Sequence, residues 1–161
     1  YPIFSFILLI VMNGCVGYEP IFGTTNLQFE IVDYSIEGNK ILGKKIYTKL
    51  YSLSKSKKDD QNLRSVDLII KVSKDKIATA KNSAGKILEY KITLNTDVTV
   101  TDFLTKNKIL SQIFISSLTY RAQNKYSDTV NLENKSIENL LNKTYQELVI
   151  RLAQSIITKW S

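Results

Sequence analysis

The stretch VDLIIKVSKDKIATAKNSAGKILEYKITLNTDVTV, residues 66–100, decides the fold. Val66, Leu68, Ile70 and Val72 alternate with Asp67, Ile69 and Lys71, the period of a strand that buries one face, and the run can extend to Ala80. Asn82-Ser83-Ala84-Gly85 is a turn. Beyond it Leu88, Tyr90, Ile92 and Leu94 are set against Glu89, Lys91, Thr93 and Asn95, and the alternation continues through Val98 and Val100. Two long alternating runs around one short turn make a hairpin.

Downstream, Thr105 to Lys108 separates the hairpin from a fourth strand over about residues 109–123, which carries Phe114, Leu118 and Tyr120. Asn124 to Asn134 is polar and reads as a loop. Ser136 then caps a last helix, with Glu138 in its first turn, where the helix dipole favours an acid. Ile137, Leu141, Leu148, Leu152 and Ile156 form its apolar stripe, which ends near Trp160.

Upstream of the hairpin, Leu27 to Tyr34 alternates, with Leu27, Phe29 and Ile31 on one face and Gln28, Glu30 and Val32 on the other. Glu37-Gly38-Asn39 breaks that strand, and Asn39 suits a helix N-cap. Leu42, Ile46, Leu50 and Leu53 come next at helical spacing, while Lys40, Lys44, Lys45 and Lys49 occupy other faces. The polar run from Ser54 to Asp60 is a loop. Each helix has one apolar side and so does the sheet, so helices on one sheet face bury all three. The expected class is α+β: a four-stranded, mostly antiparallel sheet with two amphipathic helices packed on one face, in the order βαβββα.

The totals narrow the function. The chain has 161 residues, enough for one domain, and 22 Lys and Arg against 15 Asp and Glu. Only Arg64, Arg121 and Arg151 are arginine, so the donor fork on which nucleic-acid readers lean is scarce, and no nucleic-acid partner is expected. There is no histidine and one cysteine. His-based triads and structural zinc built from Cys and His are thereby excluded, as is an internal disulfide. Gly38 to Lys45 (GNKILGKK) imitates a P-loop, but Lys45 stands where Ser or Thr would hold magnesium, and the segment lies in a helical pattern. Ser-x-x-Lys strings such as Ser52 to Lys55 and Ser83 to Lys86 lack partner motifs. No catalytic constellation and no metal site is found.

Residues 1–14 (YPIFSFILLIVMNG) carry no charge. They are shorter than the roughly 20 apolar residues a membrane span needs, and match the apolar core of an export signal whose basic leader is expected upstream of Tyr1. Met12-Asn13-Gly14-Cys15 closes that core and resembles the bacterial lipobox, in which a small residue precedes an obligatory cysteine. The expected organisation is a signal peptide over 1–14, a lipidated tether over 15–26 and a single domain over 27–161. The only cofactor expected is the covalent lipid on Cys15. By resemblance to the enterobacterial sorting rule, Val16 in place of Asp directs the protein to the outer membrane, facing the periplasm.

Cys15 and the following Gly17-Tyr18-Glu19-Pro20-Ile21-Phe22-Gly23 resemble the opening of the LPS-assembly lipoprotein LptE family in its alphaproteobacterial form, with Val16 inserted between the cysteine and the glycine. The order and length of the strand and helix over 27–53, the hairpin around Gly85 and the last helix are similar to that family too. The resemblance implies a non-enzymatic protein that partners an LptD-type β-barrel, helps it assemble, and helps insert lipopolysaccharide into the outer leaflet. Arg64, Lys81, Lys86 and Lys91 are the candidates for contact with lipopolysaccharide, and they also read as ordinary turn and strand cations. An auxiliary lipoprotein of an ABC-type envelope lipid transporter is the alternative.

Overall fold

The computed structural model describes residues 27–55 and 63–158; Cys15, the apolar leader, the tether and Trp160 lie outside the described residues. The elements are β1 (Phe29–Gly38), α1 (Lys40–Lys55), β2 (Arg64–Lys81), β3 (Ile87–Asp102), β4 (Lys108–Arg121) and α2 (Tyr126–Thr158). The strands lie in sequence order across one sheet. β1 runs parallel to β2 through the α1 crossover, and the pairs β2–β3 and β3–β4 are antiparallel. The expected class and element order are those observed.

The core is the union of three apolar surfaces. Ile70 and Val72 of β2, with Ile92, Leu94 and Val98 of β3, are fully buried beneath Ile46 and Leu50 of α1 and Leu141 and Leu148 of α2. Each such side chain contributes roughly 1.5–3 kcal/mol relative to exposure, so this layer dominates the stability. The opposite sheet face keeps Ile69, Ile77, Ile113 and Ile115 exposed among polar neighbours.

Several boundaries differ from the sequence reading. α1 runs on to Lys55, into the run read as a loop, and β1 continues past Tyr34, pairing with β2 until Gly38, within the expected break, meets Val72. Gly38 has φ +69°, a left-handed conformation that ends the strand, and the Asn39 N–H then donates to the Val72 carbonyl at 2.7 Å. Asn39 caps α1 as expected, its side-chain oxygen accepting from the Leu42 N–H at 3.1 Å.

The larger correction concerns α2. The segment read as a loop up to Asn134 is helical from Tyr126 onward, and Ser136, read as the cap, sits buried inside the helix. The expected stripe of Ile137, Leu141, Leu148, Leu152 and Ile156 is buried. What hid the first turns is that the same stripe carries Thr129, Glu133, Ser136 and Thr144, polar residues among which Thr129, Glu133 and Thr144 have specific partners. The Thr129 hydroxyl accepts from the Gln123 N–H at 2.8 Å, and the Thr144 hydroxyl bonds that of Ser116 at 3.2 Å. Hydrophobic periodicity cannot register such positions.

At the end of β3, Asp102 organises the turn into β4. One carboxylate oxygen accepts the N–H groups of Leu104 (3.0 Å) and Thr105 (2.7 Å), and the other faces the Arg64 guanidinium at the start of β2. Asp102 is buried. The Thr105 backbone hydrogen bond holds its pKa below the usual carboxylate value, overriding the opposing effect of burial, with the Arg64 charge helping.

Candidate functional site

β2 and β3 outrun their neighbours. β1 ends against Val72, and β4 ends where Arg121 pairs with Glu89, so the far end of the hairpin projects past the rest of the sheet. Its turn is closed by Asn82, whose side-chain oxygen accepts the N–H groups of Ala84 (3.1 Å) and Lys86 (2.8 Å). Gly85 supplies the left-handed residue the turn needs, at φ +79°. Lys81 and Lys86 flank this turn and are exposed.

The four sequence candidates are not one site. Lys81 and Lys86 share the tip. Lys91 lies down the strand between Ile77 and Thr119, half-buried and about 16 Å from Lys86 at the rise of an extended chain. Arg64 begins β2 where Lys81 ends it, roughly 55 Å away along the strand, and is engaged with Asp102.

At the hairpin root the structure assembles a cluster that the sequence did not reveal. Lys74 and Lys76 sit in the β2 register of the buried residues Ile70 and Val72, and Glu133 of α2 reaches both, at 3.5 Å and 2.5 Å. The Tyr120 hydroxyl donates to the same carboxylate at 3.2 Å. The Lys76 ammonium lies 4.3 Å from the centre of the Tyr90 ring, which stacks on Tyr120 at 5.6 Å. Burial is the largest single influence on Lys76 and would lower its pKa, but the interactions with Glu133 and Tyr120 together outweigh it and the pKa is raised. Burial would raise that of Glu133, but Lys76, the Tyr120 hydroxyl and Lys74 together outweigh it and the pKa is lowered. The pair is therefore ionised between the ordinary carboxylate and lysine ranges, and it fixes the start of α2 to the hairpin. Two lysines continuing the core-facing register of a strand were the signal in the sequence that pointed to an acid near them.

The projecting turn carries the cations Lys81 and Lys86, and below it, where the hairpin joins the sheet, Ile77 and Leu88 are each about half exposed (50% and 45%). Cations beside exposed apolar side chains are chemically matched to an anionic amphiphile. Among the described residues no group of three or more His, Cys, Asp or Glu side chains could hold a metal ion, and no helix is long and apolar enough to cross a membrane.

No protein-family model matches the chain, and no curated relative does. Several solved structures share its fold. A protein from Caulobacter crescentus described as a lipoprotein aligns over 81% of this chain and 93% of its own, with a TM-score of 0.57 at 11% identity. Lipoprotein B from Nitrosomonas europaea aligns over 89% and 94%, with a TM-score of 0.55 at 13% identity. A minor lipoprotein from Acinetobacter baumannii aligns over 76% and 94%, with a TM-score of 0.50 at 13% identity. At these identities the likeness is one of fold. It spans nearly the full length of each of those proteins.

Proposed function

We propose that this chain is an outer-membrane lipoprotein, acylated on Cys15, that partners an LptD-type β-barrel in lipopolysaccharide transport and in assembly of the barrel. The observation that carries the reading is a thiol placed after a small residue at the end of an uncharged apolar run, ahead of a domain whose fold recurs in bacterial lipoproteins. Each buried acyl CH₂ is worth about 0.8 kcal/mol, so two or more chains hold such a protein on the bilayer for practical purposes permanently. The Gly-Tyr-Glu-Pro-Ile-Phe opening supports the LptE-like assignment.

Cys15→Ser is expected to move the protein out of the detergent-soluble outer-membrane fraction and to remove the acyl mass from its mature end. Mild detergent extraction of the tagged wild type is expected to bring down a large β-barrel protein in stable proportion. Recovery of free lipoprotein alone, or of an inner-membrane transporter complex instead, sinks the barrel partnership. An unacylated mature end sinks the anchor.

Within this reading Lys81 and Lys86 meet lipid phosphates as point charges, with Lys91 behind them and Ile77 and Leu88 beside acyl chains. The double substitution Lys81→Glu/Lys86→Glu is expected to weaken binding of purified lipopolysaccharide at low salt by about a hundredfold or less, at roughly 1 kcal/mol per cation. Barrel co-purification should be unchanged. Surface plasmon resonance showing equal binding by the variant and the wild type removes the tip from the site.

A further inference from the structure

The charge of this protein is unevenly distributed. α1 carries five lysines and no acid in 16 residues, whereas the 33 residues of α2 carry four acids and three bases. Lys40 and Lys44 form one row on its outer side and Lys45 and Lys49 the next, four residues apart within each row. Ile41 stands between the rows, 73% exposed, and these residues line one shallow open hollow with Glu138 at its margin.

This arrangement works against helix stability. A cation in the first turn opposes the positive end of the helix dipole, and Lys40 occupies the first position with no acid in that turn. Lysines four apart also repel one another. The side chains are nonetheless held outward. Lys40 donates to the Ile36 carbonyl, Lys44 to the Tyr34 hydroxyl at 3.2 Å and Lys49 to Asn142 at 2.7 Å. Lys44 also lies over the Tyr47 ring, 4.5 Å from its centre, and that ring stacks on Tyr34 at 3.9 Å. Lys45 meets the carboxylate of Glu138. Neutral partners therefore pin three of the four ammonium groups without cancelling their charge.

We infer that the outer face of α1 is a docking surface for an anionic bilayer, with Lys40, Lys44, Lys45 and Lys49 against lipid phosphates and Ile41 among the acyl chains beneath them. Charge complementarity selects this occupant: a lysine-rich helix face with no acid of its own, bordered by Glu138, fits a surface of many phosphates, and its exposed apolar residue gains by leaving water. The inference requires a bilayer and does not depend on the barrel partner or on the hairpin tip.

Flotation of the purified chain with phosphatidylcholine vesicles, with and without phosphatidylglycerol, tests it. An acyl anchor or an uncleaved leader holds to either vesicle, so the quantity read is the excess binding to the anionic one and its loss at high salt. Lys40→Gln/Lys44→Gln/Lys49→Gln is expected to reduce that excess by about a hundredfold, and the corresponding Glu variant to abolish it. Ile41→Ser is expected to weaken it severalfold with the salt dependence unchanged. Changing three exposed lysines elsewhere, Lys125, Lys135 and Lys143, to Gln leaves the excess nearly intact. Circular dichroism on each variant verifies the fold. Equal losses from the two lysine triples would reduce the effect to net charge and overturn the inference, as would wild-type binding indifferent to phosphatidylglycerol.

Discussion

Asp102→Ala lowers the folding stability by about 3 kcal/mol, toward the low end of the cost of removing one member of a buried ion pair. The cost has two sources. The N–H groups of Leu104 and Thr105 lose their acceptor inside a tight turn, and the Arg64 guanidinium loses its carboxylate. Arg64 is about one-third exposed and can turn toward water, which keeps the cost at the lower end. Asp102→Asn retains an oxygen for the two N–H groups and should recover about half of the loss. The pH dependence derives from the lowered pKa of Asp102. A carboxylate whose folded pKa is depressed contributes its full stabilisation above the ordinary carboxylate range and loses it as the pH falls through the folded value. The urea midpoint of the wild type should therefore fall more steeply on acidification below the usual 3.8 than that of Asp102→Asn. Parallel pH profiles for the two proteins would show that the charge of Asp102 does not contribute.

Gly38→Ala is the second large effect, at about 3 kcal/mol. A Cβ at residue 38 would lie 2.3 Å from the Val72 carbonyl oxygen, the atom that accepts the Asn39 N–H. That oxygen cannot swing aside as the end of a flexible side chain would. The strand junction must open, and the hydrogen bond that leads the chain into α1 is lost with it. Gly85 provides the comparison. Its φ is also positive, but nothing lies within 4 Å of an added Cβ, so Gly85→Ala bears only the conformational cost of about 1–2 kcal/mol. Urea titrations that ranked Gly85→Ala as the more damaging, or the two as equal, would contradict the close contact at Val72.

The sheet was legible because alternation is sustained along the middle of its central strands, away from the register shifts near the strand ends. Val66, Leu68, Ile70 and Val72, and Ile92, Leu94, Val98 and Val100, are buried where the period of two puts them. α1 was legible because Asn39 caps it and Leu42, Ile46 and Leu50 keep helical spacing. The opening turns of α2 were not, because Thr129 and Glu133 occupy core-facing positions through hydrogen bonds and charge, and their partners Gln123, Lys74 and Lys76 lie outside the helix. Pairing of that kind leaves no local periodicity. The candidate cations show the same division. Lys81 and Lys86 come together because the turn was read correctly, whereas grouping Arg64 with them ignored the length of β2, which a count of its residues would have supplied.

β4 forms one margin of the sheet, and from Ile109 to Tyr120 that margin has no charged residue, no proline and no glycine. Soluble proteins ordinarily blunt such a margin with lysine, proline or a bulge along its length. Here the charge is confined to the ends, at Lys108 and Arg121, with Ile113 and Ile115 exposed between them. The two end cations are gatekeepers, and the strand between them is a latent template for any extended chain that approaches in register. Screening of those two cations by added salt is therefore expected to favour edge-to-edge association, which light scattering over a salt series would read.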